Sequence, residues 1–396
     1  MTVLGILIIV MFVLFSQSNS YFDEIFASVC LGYLVLLFSL KFKVVEKEDK
    51  MIFVFLLIFY FAGIFSNVIS NIAVTPIAII FDAFSYGKIF FIFIATKYLF
   101  RFIDVKELIK LITPLIKLFI TIAFIFGCIN IVRDIGMSTG MRYGIRDFAF
   151  IFGYPGGFGL IVISLTSLLL IDGTKNKKII YGMSAILLLF TTKMTIFIFP
   201  IVLILLYLFF IFEDKIRIRH YIISAIVIIP IAWNNIKGYI LNNGGFQARN
   251  IFYRYSFELF SKYLPLGAGF STFGGVGASR FYSPLYVTYQ FYNYDGMSSD
   301  DSNYLNDAFL SGIFGQTGLI GTVSFFLLIL AIIKSVNVSN LKKMNKIVLL
   351  SLLLGSFIGM VGSAMLKTTP GCLVFFVAGL IASQDLYERK AASESN

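Results

Sequence analysis

Five arginines and one lysine stand out for the chemistry they could support together. Arg142 and Arg146 are four positions apart in GMRYGIRDFAF, just ahead of GYPGGFG. Lys193 lies in TTKMT between two apolar runs. Arg249 and Arg254 precede and enter IFYRYSFELFSKYL, and Arg280 follows a run of glycines. Guanidinium forks grip phosphate oxygens in pairs. Gathered on one face of a membrane, these residues predict a bound anion, and a lipid-linked diphosphate suits them. Snorkelling or headgroup contact is the plainer alternative for each. Arg133, Lys237 and Lys367 read as rim charges.

Carboxylates follow in MSSDDSNYLNDAFLSGIFGQTGLIG, which holds Asp300, Asp301 and Asp307 ahead of an apolar span. A carboxylate beside an arginine cluster can take the proton of an attacking hydroxyl. Asp301 or Ser302 would equally cap the following helix. The single histidine, His220, closes IRIRH and reads as an interfacial flank; multi-histidine metal sites are ruled out, and Ser-His-Asp chemistry would rest on this residue alone. Cys30, Cys128 and Cys372 lie inside apolar segments without metal-ligand spacing and read as small buried hydrophobes. No GxxxxGK[ST] loop is present, so nothing points to ATP as the driving force. No cofactor and no metal is called for.

The elements that would position these residues are set by composition. The 396 residues are 59% apolar and 13% charged, with mean hydropathy +0.91. Soluble domains run at about 45–50% apolar and about 25% charged. Too few charges remain to face water, which excludes a soluble multidomain enzyme. The apolar residues recur in runs near the roughly 20 residues that cross a hydrocarbon core. The expected fold is an all-α polytopic membrane protein, a single transmembrane domain over 1–396. Twelve spans are predicted near 3–16, 24–41, 51–67, 84–100, 112–132, 150–171, 179–192, 195–212, 221–235, 312–333, 347–363 and 369–384. The first reads as a retained span rather than a signal peptide. Segment 72–83, with Pro76 and Asp82, is too short to cross and reads as re-entrant or interfacial. Nineteen Lys and Arg fall in connections on the termini's side and ten on the other. The positive-inside bias then places both termini in the cytoplasm. The net charge of +11 is therefore an orientation signal, and nucleic acid is not implied.

Two connections on the opposite, outer side are long enough to carry function: 133–149 and 236–311. In the second, Tyr253, Phe257, Phe260 and Leu264 recur at helical spacing over 251–264. They predict an amphipathic helix in the interface, apolar side toward acyl chains, or one packed on the protein's own surface. The helix should end near Pro265, and Gly267 and Gly269 open a tight, close-approach loop. Lys88, Lys97 and Lys117, within or beside spans, read as snorkelling residues unless they pair with Asp82 or Asp104.

In order, these motifs resemble the O-antigen polymerase and O-antigen ligase superfamily, membrane glycosyltransferases that use polyprenyl-diphosphate-linked glycans. The resemblance is carried by Arg142-x-Gly144 running through an aromatic stretch to Pro155, by the hairpin tip Thr192-Lys193 where relatives often have Ser-Arg, and by the long loop. There an Arg precedes Pro265, Gly267, Gly269 and Phe270, and the loop ends in Asp301, Tyr304, Leu305 and a glycine-rich span start. The ligase branch resembles a pattern with His at the loop's end; Asp301 stands there in this chain, which favours a polymerase. The resemblance implies transfer of a glycan from polyprenyl diphosphate to the non-reducing end of another lipid-linked repeat unit, in O-antigen or capsule synthesis at a bacterial inner membrane. It implies diphosphate binding by Arg142, Arg146, Lys193, Arg249, Arg254 and Arg280, and Asp301 or Asp300 as base. Gly267, Gly269 and Tyr304 would shape the substrate loop. Tyrosines and phenylalanines in 281–294 would stack on sugars or act as interfacial aromatics. The lipid-linked oligosaccharide and membrane lipid are the implied partners, and a chain-length regulator is left open. A ligase with another acceptor and a lipid-linked oligosaccharide flippase are the alternatives. A purely structural scaffold gives no account of the outer arginines.

Overall fold

A computed structural model describes residues 1–17, 21–171, 177–212, 219, 220, 222–224, 226, 233, 237 and 248–394. Its helices are α1 (Thr2–Phe15), α2 (Phe22–Lys41), α3 (Lys47–Ser70), α4 (Pro76–Leu99), α5 (Val105–Val132), α6 (Pro155–Ile171), α7 (Lys178–Phe190) and α8 (Met194–Phe212). After the long connection begins come α9 (Ala248–Lys262), α10 (Val276–Arg280) and α11 (Pro284–Thr288), then α12 (Phe309–Val338), α13 (Lys343–Gly359) and α14 (Thr369–Glu394). Every predicted span but one falls on a helix; span 221–235 lies largely outside the described residues, as do 238–247 of the long loop and Lys175, Lys215 and Arg217 of the charge pattern. Among the described residues, seven helices are long and apolar enough to cross a membrane. The protein is thus an all-α, multi-pass membrane protein.

Segment 72–83 departs from expectation. Its residues from Pro76 onward are the first turns of α4, not a separate re-entrant piece. Thr75 Oγ1 accepts from Ala78 N at 3.2 Å, and Pro76 takes the first helical position, where its missing N–H costs nothing. The proline therefore marks a helix start. Similarly, α5 begins at Val105 because the Asp104 carboxylate accepts from Lys106 N at 2.9 Å.

The bundle centres on α14 and α4. The apolar stretch of α14 is 94% buried inside the protein and that of α4 67%, against 28% for α2, α5 and α8. Charges inside the bundle are paired, as a low-dielectric setting demands. Lys88 of α4 meets Asp23 and Glu24 of α2, and Thr369 Oγ1 donates to Asp23 Oδ1 at 2.8 Å. Lys97 meets Asp49 of α3 at 2.7 Å and Glu46 at 2.6 Å. These lysines thus pair, though with other carboxylates than Asp82 and Asp104. His220 is buried and stacked on Phe209, with ring centroids 4.8 Å apart.

The long connection carries a second, smaller core of its own. Phe252 of α9 packs edge-on to Phe273 and Phe291, and Tyr286 stacks on Phe291. The α9 stripe is divided: Tyr253 turns inward, while Phe257 and Leu264 are exposed. Tyr253 is buried, its hydroxyl donating to Val361 O at 2.6 Å, and Phe257 stacks on Phe314 of α12. Of the two readings of this helix, packing on the protein's own surface describes those contacts.

This second core is sewn to the bundle by backbone. Ala268 N and Gly269 N donate to the carbonyls of Gly315 and Gln316, each at 2.8 Å. The α12 ladder is interrupted there at Gly318 (φ 57°, ψ −152°). On the other side, Asn67 of α3 exchanges two 2.8 Å bonds with Phe270, and Ser66 and Ser70 take Gly267 N and Ala268 O. Irregular backbone inside a membrane bundle is tolerated where protein satisfies it. Gly267 is required because a Cβ would sit 2.3 Å from the Gln316 carbonyl carbon, and Gly269 because its φ is +98°. Asp82 completes the seam, accepting from Ser271 N, Gly277 N and Gln316 Nε2 at 2.8, 2.9 and 2.9 Å.

Candidate functional site

At the end of the bundle that carries the long loop, several connections converge. The first is a two-stranded hairpin pairing Met141 with Arg146 and Arg142 with Ile145. Its turn, Tyr143-Gly144, has φ +54° and +76°. Two positive φ values in succession match the twist of a tight hairpin, and glycine adopts them readily. The buried Asp147 anchors the base, accepting from Thr139 N and Oγ1 at 2.7 Å and Gly140 N at 3.1 Å. This presents Arg142 at the exposed tip.

Lys193 comes from the turn between α7 and α8. Its neighbour Thr192 is held at φ +51°, a left-handed value that a β-branched side chain adopts only under constraint. The Lys193 ammonium lies 4.9 Å from the centre of the Tyr154 ring, at the entry to α6. Arg249, in the first turn of α9, pairs with Asp307: Nη2 donates to Oδ1 at 3.2 Å, and Nε lies 2.9 Å from Oδ2 as an ion-pair contact. Ser363, after α13, lies near Tyr154, and its hydroxyl accepts from Met365 N at 3.2 Å.

Electrostatics make these residues one site. Burial pushes the Lys193 ammonium down to about 8, Arg142 and Arg249 push the same way, and Asp147 and Asp307 resist. Burial raises the Tyr154 hydroxyl, aided by Asp307 and opposed by Arg249, the nearby Ser363 hydroxyl and Arg142. The half-buried Lys193 ammonium thus feels two further cations, Arg249 and the exposed Arg142, together with the carboxylates of Asp147 and Asp307. Such an arrangement favours an arriving dianion, which relieves the mutual repulsion.

Of the six cations singled out from sequence, the structure gathers Arg142, Lys193 and Arg249. The other three are placed elsewhere. Arg146 Nη1 donates to Asn130 O at 2.9 Å and its Nε lies 3.7 Å from Asp134, so this residue closes the end of α5. Arg254 is exposed on α9 beside Tyr255, and Arg280 lies over Phe81, 5.3 Å from the ring centre. Asp301 is exposed and holds its own turn: Asn303 Nδ2 donates to it at 2.6 Å, and its amide donates to Ser298 Oγ at 2.9 Å. Asp300 is exposed and accepts from Ser299 Oγ. Asp307 is the carboxylate that reaches the cations. Tyr304 packs its ring against Gly296, while Gly267 and Gly269 belong to the seam with α3 and α12.

Lys367 is not the rim charge that its position suggested. It is buried, with Nζ donating to Asn306 Oδ1 at 3.0 Å and Gly274 O at 3.2 Å. Its place beside the acidic end of the loop was not legible from spacing; an isolated lysine flanked by apolar residues was the available signal.

No protein-family model, curated protein or solved structure matches the chain.

Proposed function

We propose that this protein is a membrane glycosyltransferase of the O-antigen or capsule polymerase type, moving a glycan from polyprenyl diphosphate onto another lipid-linked repeat unit. The observation that carries the reading is the meeting of Arg142, Lys193 and Arg249 around Tyr154 from three connections far apart in sequence. Their number, and the half-burial of Lys193 and Arg249, suit a diphosphate leaving group, whose developing charge fixed cations stabilise without reorganising.

The acceptor's hydroxyl oxygen attacks the anomeric carbon, the bond from that carbon to the phosphate oxygen breaks, and the diphosphate leaves with the electron pair. The hydroxyl proton goes to a carboxylate, and Asp307 takes over here the role expected of Asp301 or Asp300. In the resting site Arg249 occupies both Asp307 oxygens. An incoming diphosphate competes for that fork, and the carboxylate is freed as the donor binds. The site lies, in this reading, at the outer face of the inner membrane, with the termini in the cytoplasm.

A flippase would need charges lining a route. Lys88, Lys97 and Asp82 instead spend theirs on neighbouring side chains and backbone, which favours the enzyme. The test is reconstitution of the full chain in liposomes with a lipid-linked oligosaccharide. Longer lipid-linked glycans should form with the wild type and fall at least about a hundredfold with Arg142→Ala or Arg249→Ala, the scale of removing an oxyanion-stabilising donor. Unchanged elongation by both variants would remove the site from the reaction.

A further inference from the structure

Lys367 occupies the short 3-10 turn Met365–Lys367 that links α13 to α14. Burying an ammonium is costly unless its three N–H groups find partners. Here the two hydrogen-bond acceptors both come from the long loop, Gly274 from its glycine turn and Asn306 from its acidic end. The faces of Tyr86 and Phe309 lie 4.3 and 5.4 Å from Nζ, contacts that offset part of the cost of burying the charge. Lys367 therefore ties two distant parts of the loop to the entry of α14, the most buried helix of the bundle.

Asn306 immediately precedes Asp307. The Asp307 amide donates to Tyr304 O at 3.2 Å, which closes the turn locally, while the Asn306 side chain is held from the bundle by Lys367. We propose that Lys367 is a positioning residue: by holding Asn306 it fixes where the Asp307 carboxylate meets Arg249. For turnover this role rests on the glycan-transfer reading above; for the location of Asp307 it does not. Lys367 touches no reacting atom and acts through the Asn306–Asp307 turn.

Two measurements on the full-length protein in lipid nanodiscs test the role. The first is the rate at which a membrane-impermeant maleimide labels Asp307→Cys in a Cys128→Ser background. Adding Lys367→Met or Asn306→Ala should speed labelling about tenfold as the turn comes loose; Asn306→Ala removes the same bond from its half-exposed end and keeps the test available if Lys367→Met misfolds. The second is elongation kinetics with a lipid-linked oligosaccharide. Lys367→Met should lower turnover to the level of Asp307→Asn with donor affinity held within about twofold, and the double variant should be no slower than Asp307→Asn, the non-additivity of residues acting as one unit. An unchanged labelling rate overturns the positioning role, as do losses that simply multiply in the double variant. Faster labelling on adding Lys367→Met or Asn306→Ala, together with a wild-type protein that elongates nothing, would uphold the positioning role and overturn the transfer reading instead.

Discussion

Arg249 and Asp307, separated by 58 positions in the chain, face each other through one hydrogen bond, Nη2 to Oδ1 at 3.2 Å, and an ion-pair contact, Nε to Oδ2 at 2.9 Å. The pair joins the start of α9 to the start of α12 and sits beside Lys193, whose ammonium feels both partners. A paired charge of this kind is poised for exchange, because an anion that takes the fork leaves a carboxylate ready to accept a proton. Breaking one partner should therefore have distinct consequences. Asp307→Asn keeps the shape and releases Arg249, so donor binding should hold or tighten while turnover falls about a hundredfold or more. Binding and single-turnover measurements on the same preparation check it.

Arg254 provides the contrast. It lies on α9 as Arg249 does, but it points to the surface beside Tyr255. Arg254→Ala should leave elongation within about twofold of wild type and change thermal stability by no more than about 0.5 kcal/mol, as ordinary surface substitutions do. A large loss of activity would mean that the diphosphate lies along the exposed face of α9.

Proton linkage gives a second handle. Lys193 is held down to about 8, and Lys367, also through burial, to about 8. Between about 8 and the ordinary lysine value of 10.5 the unfolded chain binds more protons than the folded one. Stability should rise through that window, as the cost of the buried charges is lifted. Donor binding should run the opposite way, since it needs Lys193 charged. Affinity should fall as the pH passes about 8, and at that pH binding should take up protons. Lys193→Arg should flatten the fall, because a guanidinium stays charged. Titrations across this range, with calorimetry in two buffers of different ionisation enthalpy, read both effects.

The seam between loop and bundle yields a stability prediction. Asp82 accepts three hydrogen bonds, two from loop amides and one from Gln316 of α12. Asp82→Ala strands three buried donors and should cost about 3–5 kcal/mol, seen as lowered yield and melting temperature. Gly267→Ala should be comparably damaging, because the new Cβ meets the backbone of Gln316. Gly32→Ala in α2 meets nothing within 4 Å and should be neutral or stabilising.

Much of the bundle could be read from the chain, because each helix announces itself as a long apolar run. The turn at Lys193 was legible as well, as a tip between two apolar runs, whereas the hairpin at Arg142 was legible only as a loop carrying two arginines. The errors share a cause. Pro76 and Asp82 looked like a break in an apolar run, yet the proline starts a helix and the aspartate binds backbone 189 and 195 positions away. Arg146 stands beside Arg142 in sequence, but the hairpin sends the two side chains to different tasks, one to a helix end and one to the site. Asp301 matched the expected place by order alone, while Asp307 reaches Arg249 and its neighbour Asn306 is held by Lys367, 61 positions away. Contacts of that range leave no mark in spacing.

The central claim is that Arg142, Lys193 and Arg249 together hold the paired phosphates of a lipid donor. Its most direct test is equilibrium binding of undecaprenyl diphosphate to the purified chain in nanodiscs, comparing wild type with Arg142→Ala, Lys193→Met and Arg249→Ala, with melting temperatures alongside. Each variant should weaken binding by about tenfold or more while still folding, and rising salt should weaken the wild type toward the variants. Wild-type affinity in all three folded variants would contradict the account.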